Sequence, residues 1–211
     1  MEYPKIETLF DRDEKFKVIE GALRLPEFAI PKTWLVTEKI DGTNVRVAWD
    51  GEAVRYHGRT DNAQMPTFLL TYLQDTFTAE KLATAFPEAT DVWLYGEGYG
   101  AKIQSGGNYR PNAAVRLFDV RVGAWWLNWA NVVDVAQKLG IENAPVINAC
   151  ADLSQIAPIV RNLASIVAQF DSGQESDAEG VVCRTDPLLF TRKGERLMFK
   201  LKARDFVGAA R

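Results

Sequence analysis

The chain has 211 residues, a length that suits one domain or at most two and supports a core without disulfides or structural metals. Hydrophobic residues make up 47% and charged residues 25%, which excludes wholesale disorder and a low-complexity fibre. A net charge of -3 excludes a protein that holds nucleic acid by bulk positive charge alone, but it permits a local basic groove.

Few residues are suited to metal or histidine chemistry. The cysteines Cys150 and Cys183 lie far apart, and His57 is the only histidine. This composition lacks the Cys/His spacing of a zinc site, and a histidine-based triad would have to rely on His57. The N-terminal segment lacks the apolar centre of a signal peptide, and no apolar run reaches the ~20 residues of a membrane span. We therefore expect a cytoplasmic protein.

The first elements in chain order are short strands. An irregular lead-in with a charged helix over residues 11–23 is expected first, and residues 34–38 then predict a strand. Apolar residues alternate over residues 45–49, and residues 53–57 predict a partner strand. The Asp50-Gly51 pair between them is typical of a hairpin turn.

The rest of the chain alternates helices and strands. This pattern predicts an α+β fold of antiparallel sheets with flanking helices in a single domain over residues 1–211. The first predicted helix covers residues 66–86 and is opened by Pro66. The second covers residues 129–139, between Asn128 and Gly140, and the third covers residues 154–170, where Pro158 delays the start. The predicted strands are 92–97, 115–122, 179–184 and 196–202, the last two paired.

The segment Glu38 to Asn44 (EKIDGTN) is the most informative for chemistry. A strand ends at Lys39 and a tight Asp41-Gly42 turn follows, so the lysine side chain is free to point away from the sheet. A lysine amine is a nucleophile only when deprotonated, and desolvation or nearby positive charge favours that state. By itself this pattern also fits a surface lysine before an ordinary turn.

Other short motifs follow in a fixed order along the chain. Taken singly, each motif can be explained by structure without any function. For the whole set, however, these separate explanations would all have to hold independently in one chain. They contain Arg59 (GRT), Glu97 (YGEG), Phe118 (LFDV), Glu179 (EGVV), and Lys200 with Lys202 (MFKLK).

This ordered set resembles the covalent nucleotidyltransferase superfamily of polynucleotide ligases and mRNA-capping enzymes. It is most similar to phage-type RNA ligases that seal nicked duplexes, on the Lys-x-Asp-Gly-x-Asn form, residues 96–104 (GEGYGAKIQ) and the opening residues 3–7 (YPKIE). The resemblance spans nearly the whole chain. It implies the nucleotidyltransferase (ATP-grasp-like) domain of polynucleotide ligases, ATP as the nucleotide and RNA as the polymer.

The resemblance also implies a role for each matching residue. Lys39 matches the lysine that attacks the α-phosphate of ATP and holds AMP covalently. Glu179 matches a carboxylate associated with a metal ion. The implied nucleotide contacts are Glu38 and Phe118 to adenine, Glu97 to ribose, Asn44 and Arg59 to the nucleotide or its phosphate, and Lys200 with Lys202 to the phosphates.

Elementary chemistry supports these roles. Lysines at i and i+2 on one strand face the same side, so Lys200 and Lys202 can reach one triphosphate while Phe199 and Leu201 face the core. Phosphoryl transfer depends mainly on positioning and on neutralising phosphate charge. Magnesium is the expected metal, with manganese as an alternative, because carboxylates, water and phosphates supply oxygen ligands. No Walker A loop or dinucleotide fingerprint is present in the sequence.

The charge distribution is relevant to a nucleic-acid partner. Residues 192–211 contain seven basic and two acidic residues, a net charge of +5. A basic terminus on an acidic body suits a protein that contacts phosphate along one face, here a nicked RNA or RNA-containing duplex. Only nine residues follow Lys202, so we expect no C-terminal accessory domain and a role for an accessory protein or domain in trans.

Three functions stay open on the sequence. The first is an ATP-dependent RNA ligase that joins 3′-hydroxyl and 5′-phosphate ends through a lysyl-AMP intermediate. The second is an ATP-dependent DNA ligase or another covalent nucleotidyltransferase, such as a capping-type guanylyltransferase. The third is a non-catalytic nucleic-acid-binding module, against which the intact set of Lys39, Glu97, Glu179, Lys200 and Lys202 argues.

Overall fold

The computed structural model describes residues 1–104 and 109–206, which have mixed α+β structure. The chain divides into two compact units. Unit 1 comprises Met1–Pro4 and Asp41–Ala144, and unit 2 comprises Lys5–Ile40 and Pro145–Arg211. Within the described ranges, no helix is both long and apolar enough to cross a membrane.

The regular elements are numbered in chain order over the described residues. The strands are β1 Glu7–Thr8, β2 Phe10–Arg12, β3 Val18–Leu23, β4 Trp34–Lys39, β5 Thr43–Trp49, β6 Val54–His57, β7 Val92–Tyr99, β8 Ala114–Val122, β9 Trp125–Trp126, β10 Glu142–Asn143, β11 Val146–Ala151, β12 Gly180–Arg184 and β13 Met198–Lys202. The α-helices are α1 Thr67–Thr76, α2 Ala79–Ala85, α3 Trp129–Leu139, α4 Leu153–Arg161 and α5 Ile166–Ser172.

Unit 1 is built on a sheet in the order β10-β8-β7-β5-β6, with β9 paired to β8. All of its pairings are antiparallel except β10 with β8. Because side chains alternate along a strand, the sheet has an apolar face and a polar face. Val45, Leu94 and Val120 are buried on the apolar face, whereas Asn44 and Arg46 belong to the other.

Unit 2 contains a second sheet in the order β1-β13-β12-β4-β11, and a separate hairpin of β2 and β3. Pairing is antiparallel except between β1 and β13. One face of this sheet belongs to a hydrophobic cluster in which the Trp34 and Phe199 rings lie 4.6 Å apart. The antiparallel sheets and flanking helices in both units confirm the predicted α+β class, and β12 pairs with β13 as expected.

The predicted helix over residues 11–23 is wrong, because this segment forms most of the β2–β3 hairpin. The side chain of Asp13 accepts hydrogen bonds from the backbone amides of Lys15 and Lys17, which stabilises the connecting turn. Phe16 occupies the left-handed region with φ of 60°. The charged residues therefore belong to a turn that the helical periodicity did not reveal.

Two of the predicted helices are each divided into two. The helix predicted over residues 66–86 breaks at Phe77, and Thr78 caps α2 by accepting from the Lys81 amide. The helix predicted over residues 154–170 breaks before Ser165, which caps α5. Pro158 lies inside α4 and does not delay it, because the capping box at Asp152 already starts the helix. In both cases a side-chain cap interrupts apolar spacing that continues through the break.

Candidate active site

Three of the predicted site residues converge in unit 2. Lys39 is the last residue of β4, Lys202 is the last residue of β13, and Glu179 immediately precedes the strand between them, β12. The register places Gly180 opposite both lysines. Lys39 Nζ lies 2.5 Å from Glu179 Oε2, and Lys202 Nζ lies 2.5 Å from Oε1. Two amines therefore share one carboxylate; these residues are called the lysine cluster below.

The lysine cluster is largely removed from solvent but not sealed. Its side chains are 21% exposed for Lys39, 10% for Glu179 and 16% for Lys202. Burial acts to raise the pKa of Glu179, but the positive charges and hydrogen bonds of the two lysines outweigh it and lower that pKa below its ordinary value. The carboxylate thus stays ionised at neutral pH, and two amines against one carboxylate favour an anionic ligand such as phosphate.

Lys200 lies two residues before Lys202, on the same face of β13. It is half-buried and pairs with Val182 of β12, while Phe199 and Leu201 on either side of it are fully buried. This burial pattern is the one that the alternation of the sequence predicts. Lys200 is therefore on the face that carries the lysine cluster.

Glu38 has a different environment from its neighbour Lys39. Alternation along β4 places its side chain on the other face of the sheet, where it is 2% exposed. Its carboxylate accepts hydrogen bonds from Ser165 Oγ at 2.5 Å, from the Ile166 amide at 2.9 Å and from the Val167 amide at 3.1 Å. These bonds attach β4 to the first turn of α5. The adenine contact implied for Glu38 stays a prediction.

Two residues that support the lysine cluster were not singled out from the sequence. Ser165 bonds Glu38 and also accepts from the Ala168 amide at 3.0 Å, and its only sequence signal is a cap-type residue before an apolar segment. Gly180 has φ of +154°, and a Cβ there would lie 2.1 Å from the carbonyl oxygen of Leu201. The Glu179-Gly180 pair was a signal for this close approach, because only glycine avoids the clash.

Two of the predicted nucleotide contacts of unit 1, Asn44 and Glu97, lie on the polar face of its sheet. Asn44 pairs with Glu97 across β5 and β7, and Glu97 pairs with Arg116 of β8. Asn44 Oδ1 is buried and has no hydrogen-bond partner among the described residues. A buried acceptor without a partner suits a donor group on a ligand, because a buried polar atom that makes no hydrogen bond is costly.

Phe118 lies at an irregularity in the pairing of β7 with β8, where Leu117 pairs with Gly96 and Asp119 pairs with Tyr95. Its half-buried ring contacts the ring of Tyr3 edge-on, with centroids 5.2 Å apart. The Tyr3 hydroxyl donates to Asp119 Oδ2 at 2.6 Å, so the N-terminal segment is attached beside the ring. Arg59, the remaining predicted contact, is exposed in the loop after β6.

The structure thus groups the predicted residues into two sets, each within its own unit. Lys39, Glu179, Lys200 and Lys202 lie on one sheet face of unit 2, whereas unit 1 carries Asn44, Arg59, Glu97 and Phe118. Among the described residues, no group of three or more His, Cys, Asp or Glu side chains is arranged to hold a metal ion. A single carboxylate such as that of Glu179 suits Mg²⁺ when water and phosphate oxygens supply the other ligands.

Comparisons with known proteins identify the fold. A family model described as RNA ligase matches residues 32–202. The Naegleria gruberi RNA ligase solved with PPi is 17% identical with a TM-score of 0.64, over 96% of this chain and 62% of that one. A mutant of that ligase solved with ATP and Mn is 16% identical with a TM-score of 0.64, over 96% and 61%.

Another mutant of the Naegleria gruberi ligase, solved with AMP and Mn, is 17% identical with a TM-score of 0.64, over 95% of this chain and 62% of that one. The chain therefore spans less than two thirds of the length of these solved ligases. Its sequence has no match among curated proteins.

Proposed function

Because the chain belongs to the RNA ligase family, we propose that it is an ATP-dependent RNA ligase in which Lys39 forms the covalent lysyl-AMP intermediate. The observation that carries this proposal is the lysine cluster, where Lys39 and Lys202 both contact the Glu179 carboxylate at 2.5 Å. An amine that becomes a nucleophile when it loses its proton, a second cation and a carboxylate are groups suited to attack on a phosphate.

In the first step Lys39 Nζ, after losing a proton to solvent, attacks the α-phosphorus of ATP. A P–N bond forms while the bond from the α-phosphorus to the bridging oxygen breaks, and pyrophosphate leaves with the bonding electrons. Nζ then releases a second proton to solvent, which leaves the neutral nitrogen of the phosphoramidate. Lys202 stabilises negative charge on the phosphate oxygens, and Lys200 on the same strand face reaches the same anion. Glu179 holds Lys39 Nζ at the end of β4 before the nucleotide arrives.

Glu179 is the residue that would hold the metal ion. Its ionised, half-buried carboxylate fits a hard cation such as Mg²⁺, with Mn²⁺ as the alternative that two of the Naegleria structures contain. When bound, such an ion neutralises charge on the phosphates of the nucleotide. Each oxygen of Glu179 already contacts one lysine, and an ion held there would share the carboxylate with these amines.

The remaining residues are assigned by their matching positions. We assign Phe118 and Glu38 to adenine, Glu97 to the ribose, and Asn44 and Arg59 to the nucleotide or its phosphate. The unpartnered Oδ1 of Asn44 supports this assignment for that residue. In this proposal residues 1–211 act as a single adenylyltransferase domain.

The later steps act on RNA ends. An oxygen of a 5′-phosphate attacks the phosphorus of lysyl-AMP, so that a new P–O bond replaces the P–N bond. Lys39 Nζ leaves with the bonding electrons and takes up a proton from solvent. A 3′-hydroxyl then attacks that 5′-phosphate, loses its proton, and releases AMP as the strands join. The basic residues of 192–206 are suited to contact the phosphates of a nicked RNA or RNA-containing duplex, whether alone or with an accessory domain in trans.

The test is to incubate the protein with ATP and Mg²⁺ and to measure its intact mass. The proposal requires the addition of one AMP, and it requires Lys39→Ala to abolish the addition. Lys32→Ala is the matched control, because Lys32 is an exposed lysine of the same unit, and its adduct should equal that of the wild type. An adduct that persists in Lys39→Ala refutes the assignment of the nucleophile.

The alternatives are separated by substrate. Adenylylation with ATP but not GTP excludes a capping-type guanylyltransferase. Sealing of nicks in RNA, DNA and hybrid duplexes then distinguishes an RNA ligase from a DNA ligase or another nucleotidyltransferase. Binding of nucleic acid without any AMP adduct identifies a non-catalytic module instead.

A further inference from the structure

Arg46, a residue with no assigned role, is fully buried in the polar face of the unit 1 sheet. Its exposed fraction is 0%, and it lies on β5 two residues after Asn44. Its Nε donates to the carbonyl oxygen of Gly58 at 2.7 Å, and its Nη2 donates to Asp61 Oδ1 at 2.9 Å. The guanidinium carbon also lies 5.9 Å from the centre of the Trp93 ring.

Net stability is a poor explanation for this arginine. Burial of a guanidinium carries a desolvation cost of several kcal/mol, and apolar residues of similar size are often as stable in such positions. Its carboxylate partner, Asp61, has a side chain that is 70% exposed, so water screens that ion pair. Arg46 Nη1 is buried with no hydrogen-bond partner among the described residues, which adds to the cost.

The two hydrogen bonds of Arg46 end on either side of Arg59. The first holds the backbone of Gly58, and the second holds the side chain of Asp61. Immediately after Arg59 the chain turns, with the Ala63 amide donating to the carbonyl oxygen of Thr60 at 3.1 Å. The loop after β6 is thus attached at both ends of the short segment that presents Arg59.

We propose that Arg46 is a positioning residue that orients Arg59 toward the nucleotide through Gly58 and Asp61. This inference rests on the proposed function, in which Arg59 contacts the nucleotide or its phosphate. A planar guanidinium donates along two fixed directions at once, whereas a lysine ammonium is a compact charge on a flexible chain. Arg46→Lys therefore keeps the positive charge but loses the geometry of the loop.

The experiment is a double-mutant cycle on ATP affinity, measured by equilibrium dialysis with Mg²⁺ and α,β-methylene-ATP, an analogue whose α–β bridge Lys39 does not cleave. The four proteins are the wild type, Arg46→Lys, Arg59→Ala and the double variant. Arg59→Ala removes a charged hydrogen bond to the nucleotide and Arg46→Lys misplaces the same group, so each is expected to weaken ATP binding about tenfold. In the Arg59→Ala background, Arg46→Lys should change the affinity less than twofold.

The matched control is Arg55→Lys, because Arg55 lies on the neighbouring strand β6 and is paired with Asp50 at 2.7 Å. It should leave ATP affinity unchanged. If Arg46→Lys does not fold, Asp61→Ala replaces it in the cycle, since the exposed Asp61 side chain is removed without a cavity. Its effect should be smaller, in the same direction, and likewise absent without Arg59.

Equal losses from Arg46→Lys in both backgrounds would overturn the inference, because they would show that Arg46 acts on the structure in general. No loss from Arg59→Ala would also overturn it. Failure of the proposed function is a separate result: a wild type that binds ATP but forms no AMP adduct refutes the lysyl-AMP chemistry, while the cycle of affinities still decides the role of Arg46.

Discussion

The lysine cluster of unit 2 and Arg46 of unit 1 both place a basic side chain against a carboxylate. The more buried group is the carboxylate in unit 2 and the basic side chain in unit 1. In unit 2 the carboxylate of Glu179 is 10% exposed, and two flexible lysines contact it from the ends of β4 and β13. In unit 1 the guanidinium of Arg46 is fully buried, and its partner Asp61 is 70% exposed. Both carboxylates have a lowered pKa.

This difference separates groups that can exchange partners from groups that hold the backbone. The amines of Lys39 and Lys202 contact the Glu179 carboxylate and can turn to a phosphate by rotation about their own bonds. If Arg46 left its partners, the buried carbonyl oxygen of Gly58 would lose the hydrogen bond from Nε. We therefore expect changes in the lysine cluster to affect chemistry and changes near buried groups to affect stability.

The largest expected effect is that of Glu179→Ala. This change removes the shared partner of Lys39 and Lys202 and the proposed metal ligand, so adenylylation should slow about 100-fold or more. Single-turnover formation of the AMP adduct measures it. Glu175→Ala, an exposed acid nearby in the sequence, should leave the rate unchanged. A normal rate in Glu179→Ala would remove the lysine cluster from the mechanism.

The next largest effect is that of Gly180→Ala on stability. The new Cβ would lie 2.1 Å from the Leu201 carbonyl oxygen at a φ of +154°, and strain of this kind should lower the free energy of unfolding by about 3 kcal/mol. Thermal or urea unfolding measures it. Gly194→Ala tests conformation alone, because φ is +78° there with no atom within 4 Å, and about 1 kcal/mol is expected. Equal losses would contradict the clash.

Ser165→Ala tests the hydrogen bond to the buried carboxylate of Glu38 in unit 2. It removes the hydroxyl that donates to Glu38 and caps α5, so a loss of about 2 kcal/mol in unfolding free energy is expected. Asn128→Ala removes an ordinary cap, that of α3, and should lose about 1 kcal/mol. Urea unfolding compares the two, and a smaller loss at Ser165 than at Asn128 would show that the Glu38 contact adds no stability.

The smallest effect concerns pH and Asp61. The hydrogen bond from Arg46 lowers the pKa of Asp61 below its ordinary value of 3.8. The charged form therefore stabilises the fold above that value, and this contribution disappears as the pH falls through the lowered pKa. Asp61→Asn should lower the melting temperature slightly near neutral pH and not at all below the lowered pKa. Melting curves across this range decide it, and a difference that is independent of pH would contradict the ion pair.

Much of the fold followed from local patterns. The alternation in β5, the Asp50-Gly51 turn and the caps of α3 at Asn128 and Gly140 are local features, and the structure has each of them where the sequence predicts it. The hairpin of residues 10–23 was missed, because its turn depends on Asp13 bonding backbone amides rather than on apolar periodicity. The breaks in the divided helices were missed because they too depend on side-chain bonds to backbone amides, from the caps Thr78 and Ser165.

By itself the sequence determined the class of the fold and the order of the motifs, since alternation and spacing depend on neighbouring residues alone. It also placed Lys200 and Lys202 on one strand face. Only the tertiary structure decided that Glu179 joins Lys39 to Lys202, that Glu38 accepts from the Ile166 amide at the start of α5, and that Arg46 is buried against Gly58. Each of these contacts joins separate elements, and strand register and burial, which set them, arise when the sheets assemble.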